Sequence, residues 1–205
     1  MELTWHGWSC FRLKGKEASI VTDPYTLASP SSLQKLTPDI VTASDRQQAD
    51  AQPAGPFKFI TSPGEYEVKG VLITGSPFFS SNGKRTGTFF KIEMDDLVLC
   101  HLGQMKQPLS ASQVEGLADV DVLFVPVAGE DESIDATKAV EMINLIEPRI
   151  IVPMHFEPSA LGVAGTPVEK FCHEIGQTGV TPQAKLTVTK TSLPAEPLVV
   201  VLDPR

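Results

Sequence analysis

The stretch Ser133–Phe156, "SIDATKAVEMINLIEPRIIVPMHF", joins a helical pattern directly to a buried strand. Apolar residues recur at positions 136, 139, 140, 143 and 146, which is helical spacing, and Pro148 ends the pattern. The next run, "RIIVPM", is apolar at nearly every position, as is typical of a strand that is covered on both faces. The strand ends at His155, so a polar side chain stands where functional loops often begin.

The segments on either side of this stretch repeat the alternation of helix and buried strand. Residues 120–129, "VDVLFVPVAG", form another apolar run, and a capping box at Ser110–Gln113 predicts a short helix before it. Thr166–Glu169 combines a capping box with proline at the first helical position, so "VEKFCHEIG" is predicted to be a helix that closes at Gly176. The runs "KLTVTK" and "LVVVL" are predicted to be closing strands.

The first half of the chain reads as short strands separated by turns. "LTWHGWSCFRLKG" and "ASIVTD" are strand-like, and Lys14–Glu17 is the predicted hairpin turn between them. Further strands are predicted in "PDIVTAS", "FKFITS", "EVKGVLITG", "TFFKIEM" and "LVLCHLG". Residues 80–87, "SSNGKRTG", are read as a solvated hairpin turn, because they lack the spacing of a phosphate-binding loop. This order predicts an α/β (α+β) fold of two sheets with helices outside, in one domain spanning residues 1–205.

Composition limits the classes of function. The chain has 205 residues, 41% of them hydrophobic, which is enough for a core and too many for a disordered chain. The net charge of −8 disfavours nucleic-acid binding, because an acidic surface repels phosphate backbones. We find neither a signal-peptide pattern nor a run of the roughly 20 apolar residues that a membrane helix needs, so we expect a cytoplasmic protein.

The cysteines and histidines are the first candidates for chemistry. Cys10, Cys100 and Cys172 lie in apolar segments without metal-binding spacing, which favours buried structural thiols over a nucleophile or a metal thiolate. His6 and His173 are read as structural or solvated. His101 and His155 each close an apolar strand, so each is either a site residue or a histidine held by loop carbonyls.

Residues 42–50, "TASDRQQAD", form a crowded polar loop directly after the apolar run "PDIV". A serine, an arginine and two carboxylates stand where a strand should end, which is a common place for a functional site. No base and orienting group accompany Ser44 or Cys100 in the sequence, so a nucleophilic mechanism is not favoured. An acid–base pair of Asp45 and Asp23 is possible, but nothing favours it over a surface loop.

Several motifs, in order, resemble the metallo-β-lactamase-fold superfamily. They are "LTWHGWSCF", "IVTDPY", "PGEYEVKGV", "HLGQMKQPLS", "VDVLFVPVAG", the stretch Ser133–Phe156 and "KLTVTKTSLPAEPLVVVL". The resemblance runs from Glu2 to about Leu202 and is to a bacterial branch of the superfamily, related to the lactonase-type and tRNA-processing-type metal-dependent hydrolases. It implies a four-layer αββα sandwich, with one or two Zn²⁺ ions that activate water on loops at one edge of the sheets.

The family's metal-binding motif, Ser-His-x-His-x-Asp-His, has lost its ligands in this chain. The serine is retained as Ser44, but its histidine positions hold Asp45, Gln47 and Asp50, and its aspartate position holds Ala49. The "FFSSNGKRTG" region has no histidine, and the bridging aspartate is replaced by Gln104. According to the resemblance, the chain retains one family ligand, His155. It also retains Asp23 near the site and His101 beside the bridging position.

These residues predict the remnant of a metal pocket. Its members are Asp23, Ser44, Asp45, Arg46, Gln47, Asp50, His101, Gln104 and His155. A dizinc site cannot be assembled from them, so no metal cofactor is expected. Alternatively, His155 with Asp45, Asp50 or Asp23 could hold one Zn²⁺, Mn²⁺ or Mg²⁺ ion. Arg46 could instead pair with Asp45 or Asp50 and neutralise carboxylates that remain in the former pocket.

Two functional hypotheses follow. The first is a non-catalytic protein that binds a small ligand or a protein partner, and a homo-oligomer is compatible with it. The second is a metal-dependent hydrolase of phosphoester or lactone substrates with an altered, single-ion site. A metal-free enzyme and a role on nucleic acid remain as weaker alternatives.

Overall fold

The computed structural model describes residues 1–24, 34–45, 53–80, 82–129, 133–157 and 166–205. Within these ranges there are thirteen strands, three α-helices and one 3-10 turn at Lys190–Ser192. The strands are β1 Glu2–Trp5, β2 Phe11–Lys14, β3 Ser19–Thr22, β4 Ile40–Thr42, β5 Lys58–Ile60, β6 Gly64–Val68, β7 Val71–Phe79, β8 Arg85–Met94, β9 Leu97–His101, β10 Val122–Pro126, β11 Ile150–Met154, β12 Leu186–Thr187 and β13 Leu198–Val199. The helices are α1 Ala111–Glu115, α2 Ala136–Ile146 and α3 Pro167–Glu174.

The first sheet has six strands in the order β12-β1-β2-β3-β4-β5. β1, β2 and β3 are antiparallel, whereas β3, β4 and β5 run parallel. The predicted turn between β2 and β3 is confirmed: Lys14 pairs with Ser19, and the Gly15 N–H donates to the Ala18 carbonyl at 2.9 Å. The prediction of one strand over "LTWHGWSCFRLKG" was wrong. Gly7 (φ 97°) and Trp8 (φ 51°) take left-handed conformations and fold the segment into a second hairpin, so His6 lies beyond the first strand.

The second sheet has seven strands in the order β13-β11-β10-β9-β8-β7-β6. β6 to β9 form an antiparallel meander, and β9, β10, β11 and β13 are parallel. Every residue of β10 and β11 is buried, which confirms the prediction of strands covered on both faces. The closing strands are shorter than predicted, with two residues each in β12 and β13.

The three helices lie where the sequence predicts them. The Ser110–Gln113 capping box opens α1, and Asp135 caps α2 by accepting from the Lys138 N–H at 2.9 Å. The buried face of α2 consists of Ala136, Ala139, Met142, Ile143 and Ile146. α3 begins with Pro167 and is followed by Gly176 at φ 75°. Of the helices that the structure describes, none has the length and hydropathy to cross a membrane.

The two sheets pack against each other around one apolar core. The rings of Phe11, in the first sheet, and Phe124, in the second, have centroids 4.6 Å apart. All three cysteines are buried and free, and burial raises their pKa values, that of Cys172 to about 11, so they act as small core residues. Two mixed sheets with helices are the α/β (α+β) arrangement that the sequence predicts.

The ends of the strands bring candidate residues from both sheets together. In the first sheet, Asp23 follows β3 and Ser44 comes two residues after β4. In the second sheet, His101 is the last residue of β9 and His155 follows β11. Parallel neighbours end at the same edge of a sheet, so the loops that leave these strands meet there.

Candidate functional site

Asp23 and Ser44 form a buried contact that joins the ends of β3 and β4. One carboxylate oxygen of Asp23 accepts from the Ser44 backbone N–H at 2.5 Å, and the other accepts from the Ser44 hydroxyl at 2.7 Å. Asp23 is 0% exposed and Ser44 is 2% exposed. Hydrogen bonds to a charged, buried acceptor are among the stronger ones in proteins, so this pair fixes the start of the polar loop.

His101 lies against the same carboxylate from the second sheet. Its Nε2 lies 2.9 Å from the Ser9 carbonyl oxygen, and because a carbonyl only accepts, Nε2 carries the proton. Nδ1 lies 4.0 Å from a carboxylate oxygen of Asp23. Burial lowers the pKa of His101 to about 4, so the imidazole is neutral at pH 7 and the contact with Asp23 is not an ion pair.

The turn between β1 and β2 connects His101 to His155. Ser9 of this turn accepts from His101, and the Trp8 carbonyl accepts from the His155 backbone N–H at 3.1 Å. The Trp8 and His155 rings pack edge to face with centroids 5.1 Å apart. Burial lowers the pKa of His155 to about 4, and the positive charge of Lys106 acts in the same direction. His155 is therefore a neutral imidazole that packs against this turn.

Three residues around these contacts have left-handed backbones although none is glycine. They are Trp8 (φ 51°), Asp23 (φ 39°) and His155 (φ 60°). Each such conformation costs about 1–3 kcal/mol and persists only where surrounding contacts impose it. Their concentration at one edge of the sheets marks this edge as a constrained site.

Gly103 lets the loop after β9 approach the Asp23–Ser44 pair. A Cβ atom at this position would lie 2.3 Å from Ser44 Cβ and 2.5 Å from Ser44 Oγ. Its φ of 56° also favours glycine. Any side chain here would displace Ser44, so the glycine closes the second sheet onto the polar loop.

The remaining candidate residues lie around this cluster or outside the described part. Asp45 is half-buried and lines, with Ser44, a cleft beside the cluster. Gln104 is half-buried on the loop that carries Gly103. Arg46, Gln47 and Asp50 lie outside the described residues. Asp23 thus contacts both Ser44 and His101, and the Trp8–Ser9 turn links His101 to His155.

The described donors do not fit a dizinc centre. Both oxygens of Asp23 already accept hydrogen bonds from Ser44, and His101 Nε2 donates to a carbonyl. Gln104 offers a neutral amide where the resemblance implies a bridging carboxylate, and Zn²⁺ in proteins takes thiolate, imidazole and carboxylate ligands. Within the described ranges, no three His, Cys, Asp or Glu residues are grouped as metal ligands.

Sequence reasoning missed Trp8, Ser9 and Lys106. Trp8 and Ser9 follow Gly7, and a glycine inside a strand pattern is a signal for a turn that the prediction of one continuous strand overlooked. Lys106 comes two residues after Gln104, and nothing in its local sequence shows that its charge acts on His155.

Comparisons with known proteins agree with this architecture. The family described as "Beta-lactamase superfamily domain" matches residues 2–155. A UPF0173 protein of Pyrococcus abyssi and a UPF0173 metal-dependent hydrolase of Thermoplasma acidophilum are each 25% identical, over 178 and 191 residues. Each alignment covers 76% of this chain and 83% of the relative.

A solved structure from Thermotoga maritima extends the similarity to the whole chain. It is of a proposed Zn-dependent hydrolase of the metallo-β-lactamase superfamily, with 32% identity and a TM-score of 0.82. The alignment covers 100% of this chain and 99% of that protein. The αββα sandwich implied by the resemblance is thereby confirmed. The chain belongs to the metallo-β-lactamase-fold superfamily.

Proposed function

We propose that this chain is a non-catalytic member of its family, which binds a small ligand or a protein partner where the family's fold carries metal. The observation that carries the proposal is the set of donors at the positions where the resemblance implies metal ligands. His155 is the one histidine retained there, and the other positions hold Asp45, Gln47, Ala49, Asp50 and Gln104. One imidazole with scattered carboxylates and amides is a poor match for Zn²⁺.

The other donors support the same conclusion. Gln104 replaces a bridging carboxylate with a neutral amide, and Ala49 has no donor atom. Asp23 is hydrogen-bonded to Ser44 through both oxygens. The scaffold is therefore retained while the chemistry of the site has changed, as happens when a function is lost from a stable fold.

Elemental analysis of protein purified without chelator tests this proposal. We expect well below one equivalent of transition metal per chain. A matched variant restores the family's residues at the motif positions through Asp45→His, Gln47→His, Ala49→Asp, Asp50→His and Gln104→Asp. Metal in this variant would show that the assay detects a site on this scaffold, whereas one or more tightly held equivalents in the unmodified chain would refute the proposal.

A second candidate function is a metal-dependent hydrolase with a single-ion site. The names of the Thermoplasma and Thermotoga relatives favour it. Its ligands would be His155 with Asp45, Asp50 or Asp23. These ligands suit one Mn²⁺ or Mg²⁺ ion better than they suit two Zn²⁺ ions. It predicts that His155→Ala lowers both metal content and activity on phosphodiesters or lactones. Absence of activity on such substrates with added Mn²⁺, Mg²⁺ or Zn²⁺ would exclude it.

A further inference from the structure

A cleft of about 500 Å³ opens beside the Asp23–Ser44 pair. It lies where the loop after β4, the residue after β5 and the start of β8 meet. Its lining consists of Ser44, Asp45, Thr61, Lys84, Arg85, Thr86 and Gly87. A volume of this size is in the range that small-molecule ligands occupy, and the cleft shares Ser44 with the candidate site.

Two exposed cations, Lys84 and Arg85, lie in this lining. Neither forms an ion pair with a carboxylate within the part of the chain that the structure describes. The Arg85 guanidinium approaches the Thr61 carbonyl at 3.4 Å and the Thr88 hydroxyl at 3.3 Å, which holds it at the wall of the cleft. Among the described residues of the lining there are two cations and one carboxylate, that of Asp45, on a protein of net charge −8.

The backbone around the cleft is held closely in place. The Ser44 carbonyl accepts from the Thr88 N–H at 2.9 Å, which ties the polar loop to β8. At Gly87, a Cβ atom would lie 2.9 Å from the Ser44 carbonyl oxygen and 2.4 Å from a carbon of the Phe78 ring. Only glycine allows this approach, so the backbone that carries Lys84 and Arg85 is fixed relative to Ser44. The backbone framework of the cleft is therefore formed before a ligand binds.

We propose that this cleft binds the anionic group, phosphate or carboxylate, of a small molecule. The inference rests on the proposed function, because it names the ligand class of the non-catalytic protein. A guanidinium presents a planar fork that matches both groups, and a lysine adds a point charge. Asp45 also lies in the lining, and its negative charge disfavours a second anionic group. A polyanion such as nucleic acid does not fit two cations on an acidic protein.

Isothermal titration calorimetry at low ionic strength tests the inference with three probes: inorganic phosphate, glycerol 3-phosphate and lactate. We expect saturable binding of at least one probe, with one site per chain. The double variant Lys84→Gln/Arg85→Gln should weaken this binding about tenfold or more, because it removes both charged donors. A preference for phosphates over lactate, or the reverse, identifies the anionic group.

The control is the double variant Lys16→Gln/Lys35→Gln, which removes two exposed lysine charges outside the cleft. Its affinity should stay within about twofold of the unmodified chain, because neither lysine lines the cleft. The Arg85→Lys variant retains the charge but not the fork, and should give intermediate affinity. Circular dichroism of each variant verifies the fold.

Two results would overturn the inference: no saturable heat with any probe, or equal affinities in the two double variants. Metal content is measured on the same preparation, so the two proposals fail separately. Tightly held metal would refute the non-catalytic proposal, whether or not the anionic probes bind. A metal-free chain that binds no probe would refute only the assignment of the cleft.

Discussion

Asp23 is a buried carboxylate with a left-handed backbone, and both of its side-chain oxygens contact Ser44. Two of the hydrogen-bonding groups of Ser44, its N–H and its hydroxyl, are directed at this carboxylate. Burying a charge is costly unless it is hydrogen-bonded, so the two residues depend on each other. At the scale of single residues, the site is therefore a coupled structural pair.

This coupling predicts a non-additive double-mutant cycle. Asp23→Asn and Ser44→Ala should each lower the free energy of unfolding by about 1–3 kcal/mol, because each leaves a buried polar partner unsatisfied. The double variant should lose clearly less than the sum. Urea denaturation measures the four values, and Asp203→Asn, at an exposed position, is the control. Strict additivity would contradict the coupling.

His101 predicts a dependence of stability on pH. Burial lowers its folded-state pKa from 6.5 to about 4. Between these two values the unfolded chain binds a proton that the folded chain does not, so the free energy of unfolding falls as the pH falls from 6.5 to 4. Removing this imidazole with His101→Gln should reduce the slope by up to about 1.4 kcal/mol per pH unit.

The measurement is urea unfolding at a series of pH values between about 4 and 7. His173→Gln serves as the control, because His173 is exposed on α3. Its slope should match that of the unmodified chain. If His101→Gln also leaves the slope unchanged, the buried, neutral state of His101 is wrong.

At the scale of elements, the loop after β9 closes the second sheet onto the first. Gly103 makes this approach possible, because a methyl group at this position would overlap with Ser44. The turn at Gly7–Ser9 closes the same edge from β1 and β2. The two connections hold the ends of the strands together through protein contacts.

Gly103→Ala should therefore destabilise the fold more than a glycine substitution at a comparable φ in open space. Gly83 is the matched control: its φ is 77°, and beyond its chain neighbours no described atom lies within 4 Å of the position that an alanine methyl carbon would occupy. Gly83→Ala isolates the cost of the left-handed backbone, about 1–2 kcal/mol. Thermal or urea unfolding should show an additional loss for Gly103→Ala, and equal losses would refute the close contact.

The elements that the sequence predicts well carry their own local signals. α2 has helical spacing and an Asp135 cap, and β10 and β11 are continuous apolar runs. The break between β1 and β2 escapes prediction because the strong strand propensities of Trp5 and Phe11 mask one glycine. The strand prediction therefore fails where a turn depends on two left-handed residues.

At the scale of the whole molecule, the fold could be predicted and the site only in part. His101 and Ser9 are 92 positions apart, and Asp23 and Ser44 are 21 apart, so their contacts exist only after both sheets assemble. The resemblance identifies the candidate residues. Their hydrogen-bond partners are distant in the sequence and meet them only in the folded protein. From the sequence alone, Lys84 and Arg85 are assigned to a solvated turn. No local sequence pattern indicates that Ser44 approaches β8 and forms a cleft with them.

Because the scaffold is retained and the donors are altered, we propose that this member of the superfamily keeps its architecture without binding catalytic metal. Equilibrium dialysis of the purified chain against Zn²⁺ and Mn²⁺, followed by elemental analysis, tests it most directly. The five-substitution variant, which restores the ligands of the Ser-His-x-His-x-Asp-His motif and the bridging aspartate, is dialysed alongside. We predict much less than one ion per unmodified chain at micromolar metal. One or two ions per chain, held in competition with a chelator, would contradict the claim.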